Sequence, residues 1–262
     1  MTPTEIMAAY EDRGPLPRDA LMAAGQSRDA MVPVFLDYIE KLQSAGIDDL
    51  EDMNAFIFIF FQLAEWRETQ AYRPLARLLR RDPVFLDRLL GDAITESSAR
   101  VMAAVFDGDL QPIFGILLDN KADSFLRGEM FDTLAILALD NPDLRPRITQ
   151  LLMDFFDLSG PDTSEDVWWA WTECIAALGL ANMETQVRAV FDSGLIAHDH
   201  SRIEDFQERM QATVDAGRPD WFTDMNSNTL ITDTVSELER WYCFSPEYLQ
   251  KKAERKRASR LT

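Results

Sequence analysis

Apolar residues at Phe131, Leu134, Ala135 and Ala138 follow the spacing i, i+3, i+4, i+7, which places them on one face of an α-helix. Ile136 and Leu139 add a second apolar side, as expected of a helix held between neighbours. The run FIFIFF at 56–61 is apolar nearly all round, so its helix is expected to be buried on several sides. Strand-like alternation is scarce, and turn signals fall between long helical stretches.

The pattern also repeats. Pro33, Pro74, Pro112 and Pro146 are each preceded two positions earlier by a large apolar residue: Met31, Tyr72, Leu110 and Leu144. Five positions after each proline comes another: Tyr38, Leu79, Leu117 and Leu151. Met183, Thr185 and Val190 read as a fifth copy with threonine in place of proline. A proline is tolerated in a first helical turn, where its missing N–H has no intrahelical partner. Asp109, Asp143 and Asn182, three residues before that position, are expected as N-caps; Ala30 and Ala71 stand there in the first two copies. A repeat of this length made of helix, turn and capped helix fits a HEAT-like solenoid, and the fixed Trp, Leu-Gly and Tyr positions of tetratricopeptide repeats are absent. The expected fold is all-α, a right-handed α-α superhelix of HEAT-like helix pairs over residues 1–250, followed by a basic tail at 251–262.

The stretches GDAITESSARVMAAVFDGDLQPI, RGEMFDTLAILAL, VWWAW and DTVSELERWYCF, in that order after TEIMAAYEDRGPLPRDAL, resemble a bacterial family catalogued as domain of unknown function 1186. The resemblance covers nearly the whole chain and implies an all-helical superhelix of HEAT-like repeats. It carries no activity to transfer to particular residues. Similar members often continue into a short cysteine-rich zinc motif of the SEC-C kind; here nothing after Cys243 is Cys or His.

Composition narrows the function classes. The net charge is −19, and residues 251–262 hold six Lys or Arg against one Glu, so the rest of the chain is more acidic still. Such a body repels nucleic-acid phosphates and anionic lipid. The tail reads either as a nucleic-acid arm or as a solvated helix end lying against its own acidic body. The longest apolar run, Ala55–Phe61, is far short of the roughly 20 residues a bilayer crossing needs. The opening MTPTEIMAAYEDRG lacks the pattern of a secretory signal, and two cysteines permit neither a disulfide framework nor a four-cysteine zinc site. A cytoplasmic location is expected.

Candidate chemistry is sparse. DGDL at 107–110 invites a calcium reading, but counting from Asp107 the sixth and twelfth loop positions are Pro112 and Leu118, not Gly and Glu. Gly108 instead suits a left-handed helix end and Asp109 the next N-cap. His198 and His200 flank Asp199 in AHDHSRIEDF, with Asp205 nearby, a set short of a third well-spaced zinc ligand. No nucleophile elbow or phosphate-binding glycine loop occurs. Cys174 and Cys243 read as packed thiols.

In VWWAW, Val167, Trp168, Trp171, Cys174, Ile175 and Leu178 share one helix face, and Trp169 points away from it. Trp169 either packs on the next helix pair or anchors a peptide in a groove, since Trp is favoured at binding hot spots. The expectation is a non-enzymatic protein- or peptide-binding scaffold with no cofactor, no metal and no catalytic residue, and Trp169 as the candidate interaction residue. The alternative is a metal-dependent hydrolase or other enzyme using Asp107, Asp109, His198 or His200. The pattern selects no oligomeric state.

Overall fold

Helix starts in this chain are marked by side chains that accept the free N–H groups of a first turn. Thr2 and Glu5 form a reciprocal capping box. Asp82 accepts from Val84 and Phe85, Asp123 from Leu126 and Ser164 from Asp166. In the computed structural model, which describes residues 1–225 and 228–258, the outcome is an all-α fold with no strand among the described residues. The helices are α1 (Pro3–Glu11), α2 (Arg18–Gln26), α3 (Arg28–Ser44), α4 (Phe56–Glu65), α5 (Tyr72–Leu78), α6 (Pro83–Leu90), α7 (Ala93–Ala104), α8 (Gln111–Leu117), α9 (Ser124–Asp140), α10 (Arg145–Leu158), α11 (Glu165–Ala177), α12 (Glu184–Asp192), α13 (Ile203–Ala216), α14 (Thr234–Leu238) and α15 (Pro246–Ala258). None is long and apolar enough to cross a membrane.

Two compact units divide the chain, residues 1–68 with 231–262 and residues 69–230. In the first, α4 carries the core: Phe56, Phe58, Ile59, Phe60 and Phe61 are all buried, as the unbroken apolar run requires. Tyr10 donates to Gln62, whose amide donates in turn to the Leu21 carbonyl, so the polar atoms of this buried pair are satisfied. Trp241 and Phe244 pack edgewise or tilted onto Phe61 and Phe58, which seats the aromatic WYCF segment. In α15, Lys251 pairs with Glu247 and Lys252 donates to the Arg13 carbonyl, so the first basic residues of the tail bond within their own unit. Residues 259–262 of the tail lie outside the described residues.

In the second unit α7, α9, α11 and α13 pack successively side by side, and α8 and α10 flank α9. Phe131, Leu134, Ala135 and Ala138 are fully or almost fully buried. Of the repeat's apolar positions only Leu144 is less than buried. Pro74, Pro112 and Pro146 sit within the first three residues of α5, α8 and α10, as the repeat predicts. Pro33 does not. It lies well inside α3, because the Ser27 carbonyl accepts from Ala30 and Met31 and starts that helix five residues earlier.

The DGDL turn is also built differently in detail. Helix α7 ends at Ala104, so Gly108, with φ +98°, shapes the loop beyond it and does not terminate the helix directly. Asp109 precedes the N-cap Leu110, yet its carboxylate accepts the Gln111 N–H, and so does the work expected of a cap from one residue further out. Asp143 and Asn182 lie in short 3₁₀ turns that lead into α10 and α12, and neither is itself the N-cap. A 3₁₀ turn tightens the approach to a helix without a side-chain cap.

Candidate functional site

Two helical stripes with the same spacing meet in the second unit. Phe125, Gly128, Glu129 and Asp132 fall at i, i+3, i+4 and i+7 on α9, and Asp166, Trp169, Ala170 and Glu173 do the same on α11. Both stripes line a cavity of about 390 Å³, which Thr95 of α7, His200, Trp221 and Phe222 help to enclose. The helices close on each other where the small residues stand: a Cβ placed on Gly128 would come within 3.3 Å of the Ala170 Cβ. On the opposite faces, Trp168 and Trp171 are buried, and Trp171 donates to the Leu152 carbonyl at 3.0 Å.

Aromatic rings form much of the wall. Trp169 is half-buried and lies edge-on to His200, with centroids 5.7 Å apart. The loop bearing His200 is tied to the start of α11, because Glu165 accepts the Ala197 N–H and sits 3.9 Å from His200 Nδ1. Trp221 begins a short π-helical turn (Trp221–Met225) and is anchored by its Nε1–H to Thr213 Oγ1. Phe125 is exposed.

Four carboxyl groups line the cavity with these rings: Glu129, Asp132, Asp166 and Glu173. Glu173 pairs with Arg209 of α13, whose guanidinium also lies 5.4 Å from the Trp221 ring centroid. Burial holds the Glu173 carboxyl above its usual range, against the opposing pull of Arg209. Glu129 accepts a backbone N–H from Ala99 of α7 at 3.3 Å, and Asp132 accepts from Asn228 at 3.4 Å. Among the described residues no cation pairs with either. Both are half-buried and line the cavity. Burial, and then the neighbouring Asp132 charge, push Glu129 up to about 9. Burial, and then Glu173, push Asp132 up to about 7.

The residues singled out in the sequence divide. Trp169 and His200 line the cavity; Asp107, Asp109 and His198 do not. Asp107 and Asp109 are bridged by Arg73 at 2.8 and 2.9 Å, which ties the DGDL loop to α5. Asp205 pairs with Arg202. Among the described residues no three His, Cys, Asp or Glu are placed to hold a metal ion. Burial pushes the thiols of Cys174 and Cys243 up, away from the reactive thiolate. Glu129, Asp132, Glu173 and Trp221 were not singled out from sequence. The signal was present in α9 and α11, as acids recurring in helices otherwise buried on several sides.

The family model described as "Protein of unknown function (DUF1186)" matches residues 3–245. An uncharacterized protein of Chlamydia muridarum (strain MoPn / Nigg) is 23% identical over 233 residues, covering 88% of this chain and 92% of the relative. An uncharacterized protein of Chlamydia trachomatis serovar D (strain ATCC VR-885 / DSM 19411 / UW-3/Cx) is 22% identical over 233 residues, covering 88% of this chain and 91% of that one. No solved structure matches the chain.

Proposed function

The chain belongs to the DUF1186 family, whose function is unknown, and we propose that this protein is a non-enzymatic cytoplasmic scaffold that binds a protein or peptide. The observation that carries the reading is the convergence of Trp169, Trp221 and four carboxyl groups on one cavity of about 390 Å³. A concave site walled by aromatic rings with a few convergent polar groups is the usual form of a recognition pocket. Phe125, exposed and part of the cavity lining, gives a partner an apolar foothold beside it.

Charge selects the partner. A chain of net charge −19 favours a basic segment over nucleic acid or an anionic membrane. On the same reading residues 1–250 are one domain of HEAT-like repeats, a class that presents extended binding surfaces. Asp107 and Asp109 are engaged by Arg73, and of the residues a metal-dependent hydrolase would use only His200 lines the cavity, which favours the scaffold over the enzyme.

Fluorescence polarisation against a peptide library of graded basic content tests the scaffold. The expected result is binding by peptides that carry a basic residue beside apolar ones, lost in Trp169→Ala. No binding by any peptide, or equal binding by Trp169→Ala, contradicts it.

A further inference from the structure

The cavity's charges do not balance from within. Of the cavity's carboxyls, Glu173 is the one that pairs with Arg209 of α13 among the described residues. Arg100 of α7 spends its Nε–H on the Thr229 carbonyl and does not line the cavity. His200 leans on Trp169 and Glu165. Among the described residues Glu129 and Asp132, one helical turn apart on α9, have one hydrogen bond each, at 3.3 and 3.4 Å. A carboxylate enclosed by protein needs a cation or a proton.

We propose that this cavity is a binding site for a primary alkylammonium group, the ammonium lying between Glu129 and Asp132 and its methylenes against Trp169 and Trp221. The inference rests on the scaffold reading and names the group the partner inserts, a lysine side chain. Three arguments select that chemistry. The aromatic rings provide negative faces and apolar contact for the carbon arm. An ammonium carries three N–H donors for two adjacent carboxylates, whereas a quaternary ammonium carries none. The place beside Trp221 that suits a guanidinium is already held by Arg209.

The site also explains how it survives empty. Without a ligand burial favours the protonated form of both carboxyls, Glu129 more strongly than Asp132, and the entering cation displaces whatever protons they hold. Affinity therefore rises with pH until both carboxyls have ionised, while an alkylamine, with a pKa of about 10.4, stays charged. The other charges around the pair on the packed elements are Asp166 and Glu173 of α11, Arg209 and Asp205 of α13, Arg100 of α7 and the His200 loop. None of these supplies a cation to Glu129 or Asp132.

Calorimetric titration of the full chain at pH 8.5 with N-acetyl-lysine amide, N-acetyl-norleucine amide, its trimethyl-lysine counterpart and spermidine tests the site. The lysine amide is expected to bind saturably and the norleucine amide not to bind. Asp132→Asn and Glu129→Gln, each checked for an intact thermal transition, are expected to weaken the lysine amide by roughly thirtyfold or more. Equal binding of norleucine amide or of the trimethyl compound, or unchanged affinity in both variants, overturns the proposal. Binding of spermidine without the lysine amide keeps the ammonium site and overturns the peptide partner. Trp169-dependent peptide binding that ignores both carboxyl variants keeps the scaffold and overturns the ammonium site.

Discussion

Arg209 and Glu173 form an ion pair between α13 and α11 in which the Glu173 side chain is 8% exposed and the Arg209 side chain 38%. That pair sets Glu173 apart from Glu129 and Asp132: among the described residues Glu173 has a cation and the other two do not. Removing the cation alone strands a buried charge. Arg209→Met is expected to lower stability in urea melts by about 2 kcal/mol, less than a fully buried pair because the guanidinium is partly solvated. Adding Glu173→Gln is expected to restore most of the loss. An unaffected single variant, or a double variant as unstable as the single, contradicts this role.

The Glu129 carboxyl ties stability to pH with a definite sign. An unfolded glutamate ionises near 4.3, whereas in the fold this carboxyl is pushed up to about 9. Between those values the folded state holds a proton that the unfolded state has released, so stability falls as pH rises across the window. Glu129→Gln removes the effect. Thermal melts from pH 5 to 9 are expected to show a shallower decline in the variant, which becomes the more stable protein at the alkaline end. Parallel curves would mean that Glu129 ionises freely.

The two buried tryptophans of α11 differ in one hydrogen bond. Trp171 Nε1 donates to the Leu152 carbonyl, while Trp168 Nε1 is buried without a partner among the described residues. Phenylalanine at either site gives up ring volume, but only Trp171→Phe also breaks a hydrogen bond, worth about 1 kcal/mol. Denaturant unfolding should find Trp171→Phe the less stable variant by about that amount. The reverse order would show that packing alone decides.

In the DGDL turn the backbone, and not the charge, is the demanding part. Gly108 has φ +98°, where a Cβ is strained, although nothing lies within 4 Å of where it would stand. Gly108→Ala is expected to cost about 1 kcal/mol in urea melts. Arg73→Ala, which removes the exposed bridge to Asp107 and Asp109, should change the melt little. If the order were reversed, the turn would be held by its ion pairs.

Much of the fold is legible in residue spacing. The α9 core stripe of Phe131, Leu134, Ala135 and Ala138 and the wholly apolar α4 follow directly from period and hydropathy. Boundaries are less so. Pro33 follows the repeat spacing yet lies inside a helix, since a local bond from the Ser27 carbonyl decides where that helix begins. Cap positions slip by a residue where a 3₁₀ turn intervenes. Trp169 is legible as the one aromatic of VWWAW off the buried face. Its companions are not: Trp221 comes from a segment some fifty residues further along the chain. Glu129 and Asp132 gain their meaning only once a second stripe, on α11, is set against theirs.

The central claim is that a cationic side chain enters the cavity between Trp169 and Trp221. Fluorine NMR of the full chain carrying 5-fluorotryptophan, titrated with N-acetyl-lysine amide at pH 8.5, reads that directly among the six tryptophans. The resonances of Trp169 and Trp221, assigned by substitution, are predicted to shift together and saturate, while those of Trp66 and Trp241 stay in place. Shifts confined to Trp66 or Trp241, or no saturable shift at all, contradict it.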